Sequence, residues 1–198
     1  ENGDVTLTGS DGVNDVITVV NSDSNLEIDG GAGDDTLTGA DGSDTIIGGV
    51  GDDTISGGEG YDSLSGGEGA DTISGGLYDD TISGGEGADT IYGNSGYNTI
   101  SGDDGDDLII GGVDDDTVTG GLGDDTISGG AGHDVAVFDG DQDDFTFAVS
   151  SDGMLTVTDT NTNAETSLGV DNVTSVEALK FNDGVLAVTT ADNGNVTL

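Results

Sequence analysis

Asp35, Asp44, Asp53, Asp62, Asp71, Asp80, Asp89, Asp107, Asp116, Asp125 and Asp134 recur at nine-residue spacing, with Asn98 standing where the series changes residue. Carboxylates that merely solvate a surface need no such phasing, whereas a row that gathers cations does. Each Asp follows a glycine-rich segment, as in Gly30-Gly31-Ala32-Gly33-Asp34-Asp35-Thr36-Leu37-Thr38. Clustered glycines suggest a tight turn at positive φ whose backbone carbonyls can approach a common centre. Carboxylate and carbonyl oxygens together are the donors a hard divalent cation takes, six to eight of them for calcium. Magnesium suits the loop less, because it demands tight octahedral geometry and keeps its waters. Zinc and copper prefer nitrogen or sulfur, and the chain offers no Cys and one His.

Other chemistry finds little support. His133, alone and without a nucleophile beside it, makes no triad and reads as a surface residue. Paired carboxylates are everywhere, so none stands out as a glycosidase pair. No catalytic site is expected. The Thr residues that precede the aliphatic of each repeat suit exposed strands. Tyr61, Tyr78, Tyr92 and Tyr97 read as local packing rather than a sugar-stacking patch.

The elements that must position the aspartates follow from the same period. Twelve nonapeptides run without insertion from Gly30 to Val137. Position 1 is always Gly; position 4 is Gly except at Tyr78 and Asp114. An aliphatic at position 8, with one residue each side, is too short a signal for a helix. It suits a strand pointing one side chain in and two out. Nine residues then give a turn and a short strand, and two units give a coil of 18. The inward rows are Leu37, Ile55, Ile73, Ile91, Ile109 and Ile127 on one sheet, and Ile46, Leu64, Ile82, Ile100, Val118 and Ala136 on the other.

A net charge of −41, with one basic residue and 31% hydrophobic residues, describes a chain that cannot fold unaided. Bound cations reconcile that composition with strict phasing. With Lys180 as the only Lys or Arg, nucleic acid and anionic membrane are excluded as partners, and no apolar run is long enough for direct membrane insertion. No signal peptide is read at the N-terminus.

Three regions are expected. Residues 1–29 are a lead-in with a degenerate repeat at Gly9–Ile17 and short strands at 16–20 and 26–28. Residues 30–137 are the repeat block. Residues 138–198 form a β-rich cap and linker containing all four Phe residues: Phe138, Phe145, Phe147 and Phe181. The first seven residues also resemble the last seven, which suggests one unit of a longer tandem array.

The pattern Gly-Gly-x-Gly-x-Asp-x-aliphatic-x resembles that of the RTX (repeats-in-toxin, haemolysin-type) calcium-binding family. The segment Asp171–Gly184 also resembles one that often follows such repeats. The resemblance implies an all-β fold, a right-handed parallel β-roll with a small C-terminal cap. It also implies calcium between loops of repeats n and n+2. The twelve position-6 side chains above, Asn98 included, supply one set of ligands. Carbonyls of the Gly-rich turn supply the other: Gly31, Gly33, Gly49, Gly51, Gly58, Gly60, Gly67, Gly69, Gly85, Gly87, Gly121, Gly123, Gly130 and Gly132. If every gap fills, there are roughly ten Ca2+ ions. The gaps around Asn98, Asp80 and Asp116 are expected to be weak or empty, and Asp103 and Asp104 to disturb a loop on the other side. The function implied is a calcium-binding structural module of a secreted or surface bacterial protein, exported by type I secretion and acting as a spacer or adhesin segment beside neighbouring modules. The alternatives are an accessory domain of a secreted protease, lipase or alginate epimerase, or an ice- or carbohydrate-binding roll.

Overall fold

The computed structural model describes residues 5–10, 12–19, 24–151, 154–161, 167–190 and 196–198. Most of the matching terminal heptapeptides lies outside them. Two ten-stranded sheets face each other. One runs β1 (Val5–Thr8), β3 (Leu26–Ala32), β5 (Thr45–Val50), β7 (Ser63–Glu68), β9 (Thr81–Glu86), β11 (Thr99–Asp104), β13 (Thr117–Leu122), β15 (Val135–Val137), β19 (Ala178–Phe181), β20 (Gly184–Ala187). The other runs β2 (Val16–Thr18), β4 (Thr36–Thr38), β6 (Thr54–Glu59), β8 (Thr72–Leu77), β10 (Thr90–Ser95), β12 (Leu108–Val113), β14 (Thr126–Ala131), β18 (Val170–Thr174), β17 (Leu155–Asp159), β16 (Phe145–Val149). A short antiparallel pair, β21 (Thr189–Thr190) and β22 (Val196–Thr197), lies apart.

From β1 to β15 successive strands alternate between the sheets, so the chain winds as a parallel β-roll of about seven turns. Within the repeats each strand pairs with the one 18 residues on, as Ile55 with Ile73 and Ile46 with Leu64. Both aliphatic rows are fully enclosed, none of their members more than 2% exposed.

The strands are longer than the sequence suggests. From β5 to β14 they run from position 7 of one nonapeptide to position 3 of the next, and only positions 4–6 turn. The reason lies at position 1. A Cβ added at Gly48 would lie 2.6 Å from the Gly66 carbonyl oxygen one coil above, and closer still to the Asp53 carboxylate. Glycine is therefore placed there to admit an inward carboxylate, and the backbone stays extended. Each half-coil buries an Asp, an aliphatic and a Gly, at positions 6, 8 and 1.

The ends depart from the period. β1 pairs Val5 with Leu26, and β2 pairs Val16 with Thr36, offsets of 21 and 20 in place of 18. The loop from Gly9 to Asp15 is one residue longer than that from Gly30 to Asp35, which accounts for the difference between the two offsets. At the other end β18 and β19 continue the two sheets in parallel, and β17, β16 and β20 add antiparallel strands. The four Phe rings form one cluster, Phe181 lying 5.7, 5.3 and 5.8 Å from Phe138, Phe145 and Phe147. The cap is thus welded onto the roll by shared sheets and a common apolar core.

Candidate metal sites

All twelve position-6 side chains point inward and are at most 3% exposed. They stack in two columns, one on each turn edge. In each column Oδ1 reaches back one coil and accepts the backbone N–H of the residue 18 before it. Asp53 accepts from Asp35 at 2.7 Å, Asp71 from Asp53 at 2.7 Å and Asp89 from Asp71 at 2.7 Å. On the opposite edge Asp62 accepts from Asp44 and Asp134 from Asp116, both at 2.8 Å. The Asp backbone carbonyl meanwhile accepts from position 7 of the next coil, as Thr54 N–H to Asp35 O at 2.8 Å. Every residue in the column is therefore fixed by two coil-to-coil bonds.

The second carboxylate oxygen has no such partner. Oδ2 of Asp35, Asp53, Asp62, Asp71, Asp80, Asp89, Asp107, Asp116, Asp125 and Asp134 is buried with nothing donating to it. An unmet buried acceptor is costly, and a charged one more so. Burial pushes the carboxyl groups of Asp53, Asp62, Asp71, Asp89, Asp107, Asp116 and Asp125 up to about 6 and that of Asp80 up to about 7, against the Oδ1 hydrogen bond, with the neighbouring acidic residues adding to the rise. Asp44 and Asp134 are raised for the same first reason. Asp44 differs in that its Oδ2 accepts the Ala40 N–H at 3.0 Å.

These groups fit a hard divalent cation. Ten buried carboxylate oxygens lack a donor, in a chain with one basic residue and no Cys. Among the described residues no three His, Cys, Asp or Glu side chains converge on one point. Any ion must therefore share a carboxylate with backbone carbonyls. The candidate glycines at positions 2 and 4 carry such carbonyls: the Gly31, Gly49 and Gly67 oxygens each lie where a Cβ on the matching glycine one coil up would sit, as do those of Gly33, Gly51 and Gly69.

Asn98 keeps half of the aspartate's role. Its Oδ1 accepts from Asp80 N–H at 3.0 Å, but its Nδ2 donates to the Gly96 carbonyl at 3.1 Å. The site there loses a charge and a carbonyl together. Asp103 and Asp104, in contrast, leave the register intact: β11 pairs with β13 through Asp103–Gly121 and Asp104–Leu122. Asp103 takes φ 75°, the glycine-like conformation of its position, and its carboxylate accepts from the hydroxyls of Ser101 and Ser83. Tyr78, Asn94 and Asp114 hold φ of 80°, 75° and 75°. The Tyr61 and Tyr78 rings pack tilted at 43° with centroids 5.7 Å apart, whereas Tyr92 lies on a strand of the sheet.

Three features escape a reading of the repeat alone. At position 5 a second, exposed carboxylate row reaches forward: Asp34, Asp52, Asp79, Asp106 and Asp115 each accept the N–H of the position-5 residue one coil on, at 2.8–3.1 Å. Asp15 lies one coil before Asp35, its N–H donating to the Asp35 carboxylate at 2.6 Å. The cap supplies Asp171 and Glu177, which accept from Asp125 N–H at 3.0 Å and Asp134 N–H at 2.8 Å. Asp171 is raised to about 8, chiefly by burial.

A parallel roll with buried carboxylate columns and glycine-lined turns defines a calcium-binding repeat module. Residues 29–64, 65–100 and 101–136 each match the RTX calcium-binding nonapeptide repeat. These stretches cover more than half of the 198 residues, and the chain belongs to that family. No curated protein sequence matches it. Among the described residues no helix is long and apolar enough to cross a membrane.

Proposed function

We propose that this chain is a calcium-folded module of a secreted or surface-attached bacterial protein, in which each position-6 aspartate binds an ion shared with glycine carbonyls at positions 2 and 4 of facing loops. The observation that carries the reading is the set of ten buried carboxylate oxygens without a donor. A divalent ion supplies the positive charge that such oxygens lack. Five gaps on each edge give roughly ten ions, in keeping with this repeat class. The gap at Asn98 binds most weakly, because its amide occupies the Gly96 oxygen.

Residues 1–29 and 138–198 serve as caps on the 30–137 block. Metal binding and folding are one event in a chain of this composition. Extracellular calcium modules bind at about 10⁻⁴–10⁻³ M, so the chain stays unfolded where calcium is scarce and folds on meeting it outside. Folding there biases export outward and leaves a rigid spacer or adhesin segment, joined to neighbouring modules of a longer protein. The test is circular dichroism of chelator-treated chain titrated with calcium. A sheet spectrum should appear only with calcium. A folded-sheet spectrum in excess chelator, unchanged by calcium, refutes the reading.

A further inference from the structure

The nonapeptides end at Val137 and the family match at residue 136, yet the roll continues. Phe138 N–H donates to Lys180 O at 2.9 Å, the coil-to-coil bond that position 1 makes elsewhere, as Gly39 N–H to Ser56 O. The chain then leaves into the β16–β17 hairpin and returns at Leu168. From there Gly169-Val170-Asp171-Asn172-Val173-Thr174 occupies positions 4–9 of a thirteenth repeat.

The bonds that positions 5 to 7 make in the repeat are reproduced. Gly169 has φ 75°, with the Gly123 carbonyl where its Cβ would sit, as Gly51 has with Gly33. Val170 N–H donates to Asp124 Oδ1 at 2.9 Å, as Ala70 does to Asp52. Asp125 N–H donates to Asp171 Oδ1 at 3.0 Å, as Asp53 does to Asp71. Asn172 N–H donates to Asp125 O at 2.8 Å, as Thr72 does to Asp53. Val173 pairs with Ile127 and is buried. The thirteenth loop is therefore split, its two halves separated by the hairpin excursion.

We infer that Asp171 and the Gly123–Asp125 loop form a further calcium site, one made by the cap and outside the nonapeptide array. Two buried carboxylates meet there: Asp171 is 3% exposed, Asp125 is 0% exposed, and the Asp125 N–H donates to Asp171 Oδ1. Asp125 Oδ2 is buried and has no donor. The only lysine, Lys180, lies on β19 of the other sheet. A cation at this gap ties the returning chain to the last full coil, so the Phe cluster closes only when the roll below it is loaded.

The inference rests on the calcium reading above. The test uses the full chain with Asp171→Asn, which keeps an Oδ1 acceptor just as Asn98 does in the opposite column. Calcium bound is counted by equilibrium dialysis, and hydrogen exchange follows the 170–174 strand during a calcium titration. The variant should bind one ion fewer per chain, and protection of that strand should require at least tenfold more calcium. Asp143→Asn, an exposed acid in the cap, should change neither. If Asp171→Asn fails to fold, Asp124→Asn at the exposed rim of the same gap should raise the calcium needed for that protection at least threefold; no change overturns the site. An unchanged ion count in folded Asp171→Asn also overturns it, and indicates that a proton holds the pair. If the unsubstituted chain binds no calcium, the family reading fails instead.

Discussion

Removing calcium should turn the usual effect of acid upside down. In the folded chain seven position-6 carboxyls are raised to about 6 from 3.8, with burial as the main cause. A folded pKa above the unfolded one means that the stability contribution is whole below 3.8 and is lost as pH rises through about 6. Each such shift corresponds to about 3 kcal/mol at pH 7, and seven to on the order of 20 kcal/mol. A typical domain has only about 5–15 kcal/mol of net stability, so the metal-free roll should be unfolded at neutral pH. Lowering the pH to 5 returns a little under half of that penalty. The assay is far-UV circular dichroism in chelator from pH 7 to 5, at low concentration because the sequence pI is about 4.1. Sheet signal should grow as pH falls without calcium and decline as pH falls with it. A metal-free chain that is equally ordered at pH 7 and pH 5, or that loses order on acidification, would refute the electrostatic account of the columns.

Asn98→Asp should restore the unmet oxygen and free the Gly96 carbonyl, raising calcium affinity of the roll in dialysis while destabilising the metal-free chain by about 3 kcal/mol, as for its neighbours. Gly48→Ala should destabilise the calcium-loaded chain by about 1–3 kcal/mol in urea melts, because its Cβ meets the Gly66 carbonyl at 2.6 Å. Gly184→Ala is the matched control, with nothing within 4 Å, and should change the midpoint little. Tyr78→Gly should stabilise by up to about 1 kcal/mol, since φ 80° is strained for a residue with a Cβ, and the lost tilted ring contact with Tyr61 offsets only part of that. A lower melting temperature for Tyr78→Gly would mean that the ring pair outweighs the backbone strain.

The repeat block was legible because one period fixes everything at once. A nine-residue phase places Ile55 over Ile73 and Asp53 under Asp71, so naming one coil names them all. The strand length was misread because glycine pairs signal turns, and nothing in a Gly-Gly doublet says that the first is there to leave room for a carboxylate. The position-5 row was illegible for the opposite reason. Asp34 and Asp52 belong to it, but Ala70 and Ala88 interrupt it, so it shows no period although the geometry of each member is the same. Asp171 was hidden by distance: it pairs with Asp125 across 46 residues and lacks the glycine doublet that flags the others. The second half of the motif, Gly169-x-Asp171-x-Val173, was in the sequence all along.

Carboxylates inside the roll also explain where the chain can be closed. On one edge the column runs from Asp15 through the repeats to Asp171, acid at both ends. On the other it begins at Leu26, whose N–H donates to Asp44 at 2.8 Å, and ends at Glu177. Leu26 fills position 6 with an apolar side chain, 4% exposed, and ends that column without another charge. The N-terminal end can therefore be sealed by hydrophobic burial on one edge alone. The C-terminal end adds an acid to both columns and sets a cluster of four Phe rings beside them. Apolar burial there works against the carboxyl group of Asp171, 3% exposed, whereas Glu177 stays at the surface. The end with the largest apolar core is thus the end whose closure depends most on a cation, and the order of folding should follow: coils loaded with calcium first, the cap last.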